Sequence, residues 1–161
     1  MTFTLATAIF LHMEGGDPMK ISTRSRYGLR ALVELAACGE GVTLPLRTIA
    51  ERHGMSEYYL EQLFAPLKKA GIVKSIRGAQ GGYRLNRAVD EITAGDVMRV
   101  LEGNLMPVDC LEDDSYECPT ASCENCNTKP VWEKLYAGVS EVLDTIRLSD
   151  LVEKQTKGST T

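Results

Sequence analysis

Apolar positions recur with helical spacing through most of the chain, and the period shortens to that of a strand at one place. Leu29, Leu32, Val33 and Ala36 fall at i, i+3, i+4 and i+7, which makes one face of a helix capped by Ser22 or Thr23 and running to about Cys38. Gly39 and Gly41 end it. A short second helix carries Leu46, Ile49 and Ala50 and stops at Gly54. Ser56 caps a third, whose buried stripe is Leu60, Leu63, Phe64 and Leu67, with Pro66 costing it the backbone bond to Gln62 and Gly71 closing it. Ile72–Ile76 then reads as a strand, Arg77–Gly82 as a turn and Tyr83–Leu85 as the returning strand. Thr93 caps a fourth helix to about Glu102, with Val97, Val100 and Leu101 inward. Gly103–Thr128 is irregular. Pro130 opens the last long helix, with Val131, Leu135, Val139, Val142 and Ile146 as its apolar stripe, and Ser149 caps a short terminal helix. The expected fold is mainly α with a small β-hairpin wing, a winged helix-turn-helix followed by a long C-terminal helix.

Charge turns this layout into a functional expectation. The formal net charge is −4, but it is unevenly spread. Residues 19–88 hold twelve Lys and Arg against five Asp and Glu, whereas residues 89–161 hold six against fifteen. A basic half followed by an acidic half suggests a nucleic-acid face joined to a sensing or assembly half. Chance clustering on solvated faces is the simpler alternative. Residues 1–18 read as an N-terminal extension, with Met19 an alternative start. Their apolar run, Phe3–Met13, has no cationic stretch before it and is too short to span a bilayer, so neither signal peptide nor membrane anchor is expected. The expected compartment is the cytoplasm, where clustered cysteines more often bind metal than form disulfides. No nucleophile–base pair, nucleotide loop or acidic metal pair stands out, so the chain does not read as an enzyme.

Two short helices joined at Gly54-Met55 and followed by a hairpin outline a module that sets the N-terminal part of its second helix in the DNA major groove. Removing the buried stripe leaves Glu57, Tyr58, Glu61 and Gln62 on the outer face, with Tyr59 at the boundary. Glutamine can pair with adenine and a carboxylate can accept from cytosine. Ser56 and the helix N-terminus suit a phosphate. Lys20, Arg24 and Arg26 stand ahead of the first helix, where such folds cross the DNA backbone. At the wing tip, Arg77 beside Gly78 suits a narrow minor groove. Competing with this are tyrosines that serve as half-buried packing and glycines that serve a tight hairpin. His53 reads as a helix-end residue and Cys38 as a small core residue.

Cys110, Cys118, Cys123 and Cys126 lie within seventeen residues as C-x7-C-x4-C-x2-C. Four thiolates suffice for tetrahedral zinc or for a [2Fe–2S] cluster. A zinc ribbon uses two close C-x2-C pairs, and only Cys123 and Cys126 make one, so the spacing does not favour zinc. Asp109, Glu112, Asp113, Asp114, Glu117 and Glu124 make the stretch acidic. An irregular stretch this long is unusual in a small domain unless it is functional.

Several of these motifs together resemble one family. Met19-Lys-Ile-Ser-Thr-Arg-Ser-Arg-Tyr-Gly28, Tyr59-Leu-Glu-Gln-Leu63, Val73-Lys-Ser-Ile-Arg-Gly78, Gly81-Gly-Tyr83 and Ile92-Thr-Ala-Gly-Asp96 are similar to segments of the IscR-type regulators. These are dimeric winged-helix repressors that include iron–sulfur assembly regulators, nitric-oxide sensors, iron regulators and the repressor of cysteine metabolism. The resemblance spans about 19–152. It implies a homodimer formed through Pro130–Ile146, operator DNA as partner, and DNA contacts at Ser56, Tyr58, Tyr59, Glu61, Gln62 and Arg77. It also implies an iron–sulfur cluster, [2Fe–2S] ahead of [4Fe–4S], on three cysteines. Cys110 and Cys126 match the outer two, and either Cys118 or Cys123 matches the middle one. Where the iron–sulfur assembly regulator has a histidine ligand this chain has Lys129, a poor ligand, which leaves the fourth ligand open with the extra cysteine as one candidate. Val100-Leu-Glu-Gly103, Pro107-Val-Asp109 and Leu111-Glu-Asp-Asp114 look closest to the cysteine-metabolism branch, which commonly lacks the cysteine cluster and acts with cysteine synthase as partner, so the chain mixes features of the two branches. The layout implied is an extension at 1–18, a DNA-binding head at 19–88 and a sensing and dimerisation region at 89–161.

Overall fold

The computed structural model describes residues 21–111 and 126–152. In order these form α1 (Thr23–Ala37), α2 (Leu46–His53), α3 (Glu57–Lys69), β1 (Val73–Ile76), β2 (Gly82–Leu85), α4 (Ala94–Glu102), a 3-10 turn at Asp109–Leu111, and α5 (Lys129–Thr145). A last helical segment starts at 148 and continues through 152. The extension at 1–18, together with Lys20, Cys118 and Cys123, lies outside the described residues.

The core sits where α1, α3, α4 and the hairpin meet. All four expected residues of α3, Leu60, Leu63, Phe64 and Leu67, are fully buried. Each such side chain contributes roughly 1.5–3 kcal/mol by leaving water. Pro66 lies inside α3, which continues to Lys69. For α1 the expected stripe is rotated. Leu32 and Ala36 are buried, but Ala31 and Leu35 share the centre and Leu29 and Val33 are only half-buried at its edge. The reason is that α1 packs against α4, α3 and β2 on more than one side, so its buried arc is wider than one periodic stripe. Gly28 completes that arc, because a Cβ there would lie 2.2 Å from Leu101 Cδ1.

The two strands pair antiparallel, Val73 with Leu85 through to Ile76 with Gly82. The hairpin gains a third partner that periodicity does not show. Leu44 and Tyr83 exchange both backbone hydrogen bonds at 2.9 Å. Gly82 permits this approach, since a Cβ there would sit 2.4 Å from the Leu44 carbonyl oxygen. Thr93 caps α4 in a reciprocal box: its hydroxyl accepts from Asp96 N at 3.0 Å while Asp96 Oδ2 accepts from Thr93 N at 3.3 Å.

The rear is joined differently. Ala94 N donates to Ile146 O and Leu148 N to Ile92 O, at 2.8 and 2.9 Å, clasping the start of α4 to the end of α5. Arg99 pairs with Asp144 across the two helices. The terminal helix begins at 148 rather than after a Ser149 cap. Ser149 N donates to Val89 O, and Asp150 Oδ2 accepts from Arg147 N at 2.9 Å. The expected α5 stripe is split: Val131 and Val142 are 58% and 59% exposed and Leu135 is exposed as well, whereas Val139 and Ile146 are half-buried, and no residue of α5 is fully buried. Trp132, Tyr136, Val139 and Leu143 form its half-buried side.

Candidate nucleic-acid interface and cysteine loop

Gly54 closes α2 in the left-handed conformation (φ 64°), with its N–H on Ala50 O, and turns the chain into α3. Ser56 caps α3, its hydroxyl accepting from Tyr59 N at 3.1 Å. The first two turns of α3 present Glu57, Tyr58, Glu61 and Gln62 to solvent, and Tyr58 is 71% exposed. Tyr59 is half-buried and takes a structural part. Its ring meets that of Tyr27 edge-on with centroids 6.0 Å apart, and its hydroxyl donates to Thr23 Oγ1 at 3.4 Å. The start of α1, bearing Arg24 and Arg26, therefore flanks the start of α3. Periodicity alone does not find Tyr27 or Thr23, because the contact joins two helices at their ends.

The wing is fastened to the same helix. Phe64 and Tyr83 pack edge-on with centroids 5.0 Å apart, which sets the hairpin beside α3 and leaves Arg77 and Gly78 exposed at its tip. Arg26 is exposed. Arg24 is exposed as well, yet its Nε donates to Leu101 O at 3.2 Å. One turn away, Ser22 Oγ donates to Glu102 Oε1 at 2.7 Å. Burial pushes the Glu102 carboxyl up, but the hydroxyls and backbone N–H groups of Ser25 and Ser22 facing it together outweigh burial and hold it below its ordinary value. Of these two, Ser22 makes the well-formed hydrogen bond; Ser25 Oγ is buried without meeting bonding geometry.

His53 does sit at a helix end, its Nε2 3.5 Å from Glu34 Oε2. Cys38 is half-buried at the end of α1, its thiol donating to Glu34 O at 3.4 Å. Cys110 lies in the 3-10 turn and Cys126 just ahead of α5, both half-buried. Cys126 Sγ is 3.2 Å from Thr128 Oγ1. Among the described residues no three His, Cys, Asp or Glu side chains converge as a metal site.

With this geometry in hand, similarity to known proteins becomes decisive. The family model Rrf2, described as "Iron-dependent Transcriptional regulator", matches residues 21–154. The chain belongs to the Rrf2 family. It is 50% identical over 134 residues to the HTH-type transcriptional regulator CymR of Bacillus subtilis (strain 168), spanning 83% of this chain and 89% of that protein. The solved structure of CymR (YrzC), the global cysteine regulator of B. subtilis, superposes with a TM-score of 0.69 at 43% identity, covering 84% of this chain and 97% of that one. That of T. potens IscR superposes with a TM-score of 0.70 at 41% identity, covering 91% and 96%. This Rrf2 member is a DNA-binding transcriptional regulator with the expected winged-helix fold, and its relatives are named as regulators rather than enzymes. No helix among its described residues is long and apolar enough to cross a membrane.

Proposed function

We propose that the chain is a homodimeric repressor that reads operator DNA through α3 and the wing, and whose DNA affinity depends on an iron–sulfur cluster held by the 110–126 cysteines. The observation that carries the DNA reading is the exposed polar start of α3, with the start of α1 that bears Arg24 and Arg26 packed beside it and Arg77 exposed at the tip of a wing that packs on the same helix. In this reading Glu57, Tyr58, Glu61 and Gln62 meet base edges. Ser56, Arg24, Arg26 and Lys20 hold phosphates, and Tyr59 braces the helix against α1. Arg77 and Gly78 enter the minor groove. Gln62→Ala then relaxes base preference, whereas Arg26→Ala weakens binding to all sequences alike and lowers the salt dependence. Binding titrations on cognate and random duplexes separate the two, and equal losses from both variants on both duplexes refute the assignment.

Dimerisation is supported by the exposed apolar side of α5, Val131, Leu135 and Val142. Sedimentation of the full chain reads the mass directly.

For the cluster, the donor set fits. Cys110 and Cys126 stand half-buried at the two ends of one acidic segment, and Cys118 and Cys123 lie within it. When bound, the group supplies a redox- and iron-dependent crosslink of that segment. Thr128 is placed to hydrogen-bond the Cys126 sulfur and so tune it. Lys129, a cation, is no ligand, so all four cysteines are assigned as ligands, with [2Fe–2S] ahead of [4Fe–4S]. Iron and sulfide content and visible absorption of protein purified without oxygen test this. No charge-transfer bands and no bound iron would sink it.

A second reading follows from the similarity to CymR, a cysteine regulator: a repressor of sulfur metabolism that acts with cysteine synthase, with the loop cysteines as redox thiols or idle. Binding to cysteine synthase, with Cys→Ala changes leaving regulation intact, selects that reading.

A further inference from the structure

Lys74 and Arg84 stand directly opposite each other in the β1–β2 ladder. Like charges in such a pair repel and weaken a hairpin. Both are half-buried, and among the described residues neither has a carboxylate within ion-pair distance. Arg84 Nη1 reaches only the Gly41 carbonyl, at 3.5 Å, and its Nε is buried with no hydrogen-bond partner. The two side chains line a cavity of about 570 Å³ at the base of the wing, between the end of α1, the Gly39–Gly41 turn and residues 85–90. Arg87, which also lines it, is engaged by Asp96 at 3.2 Å. The cavity lies at the opposite end of the hairpin from Arg77, so it is separate from the surface assigned to DNA.

We propose that this cavity binds a small organic anion of the carboxylate class, clamped between Lys74 and Arg84. The planar guanidinium of Arg84 suits a carboxylate, and the lysine adds a point charge. The cavity is larger than a bare oxyanion and has apolar wall from Ala36 and Leu85, which leaves room for an organic body. Glu40 and Asp90 also border it. Their charge opposes a dianion such as sulfate and is tolerable for a monoanion. A bound anion screens the two cations from each other, and Arg84 transmits its presence to the Gly41 turn next to the Leu44–Tyr83 pairing that holds the wing.

The test uses the full chain, isotopically labelled, with sodium butyrate as probe, sodium sulfate as the inorganic comparison, and sodium chloride at matched ionic strength as control. Butyrate should shift the amide resonances around Gly41, Lys74 and Arg84 saturably, while chloride should not. K74Q should weaken that binding at least tenfold. It should also raise the melting temperature of the ligand-free protein, because it removes one of two opposed cations without touching the half-buried Arg84. Shifts that fail to saturate, or that chloride reproduces, overturn the site. Tighter binding of sulfate than of butyrate overturns the carboxylate assignment. A K74Q protein that melts lower than the parent overturns the claim that the pair is frustrated.

Discussion

The head and the rear of this molecule use apolar residues in opposite ways. In α3 every residue of the apolar stripe is sealed in the core, and what faces outward is polar. In α5 the predicted stripe is just as regular, yet Val131 and Val142 stay exposed and nothing on the helix is buried. One pattern closes a domain; the other leaves a face to be covered. A helical stripe therefore announces that a surface will be buried, without saying whether the partner belongs to the same chain.

The sharpest way to break this comparison is to truncate one residue from each stripe. Phe64→Ala should cost about 3–5 kcal/mol of stability, as a fully buried aromatic does, read by urea unfolding. Val142→Ala should change unfolding by less than about 0.5 kcal/mol at dilutions where the chain is monomeric, and should matter only as concentration rises. A large concentration-independent loss at Val142 would mean that α5 is core after all. Next in size is Gly82→Ala, which drives a Cβ into the Leu44 backbone and should cost on the order of 1–3 kcal/mol. Loss of amide protection at Leu44 and Tyr83 under hydrogen exchange would locate that cost at the wing. Thr93→Ala removes one half of the capping box and should cost about 1 kcal/mol. The smallest effect concerns Glu102. Its pKa is lowered on folding, so its contribution to stability is complete above the ordinary value of 4.5 and is lost as pH falls through the lower, folded value. Glu102→Gln should lower stability slightly at neutrality and flatten the acid limb below about pH 4.5, so that the two profiles converge at low pH. An identical acid limb in both proteins would mean that the Ser22 and Ser25 contacts carry no weight.

Much of the head was legible because its signals are local. Ser56, Gly54 and Thr93 each act within four residues, and the α3 stripe points to a single dense core. What the sequence did not disclose depends on contacts between distant segments. The rotation of the α1 stripe comes from partners on several sides. The third ladder position at Leu44 rests on a residue almost forty positions before its partner Tyr83. The link between the start of α4 and Arg147 is more remote still. For the candidate site, the outward residues of α3 followed by subtraction from the stripe, whereas the bracing of Tyr59 by Tyr27 and Thr23 did not, since end-to-end helix contacts leave no periodic trace. Of the cysteine segment, Cys110 and Cys126 are described, at its two margins.

The pair of hydrogen bonds from Ser22 to Glu102 and from Arg24 to the Leu101 carbonyl has a consequence for genetics. The residues that open the first helix and those that close the fourth are neighbours, although about eighty positions separate them. In a screen for altered operator response, substitutions at Glu102 should therefore sort with those at Ser22 and Arg24 rather than with their neighbours in the acidic segment that follows. Second-site suppressors of one group should be found in the other.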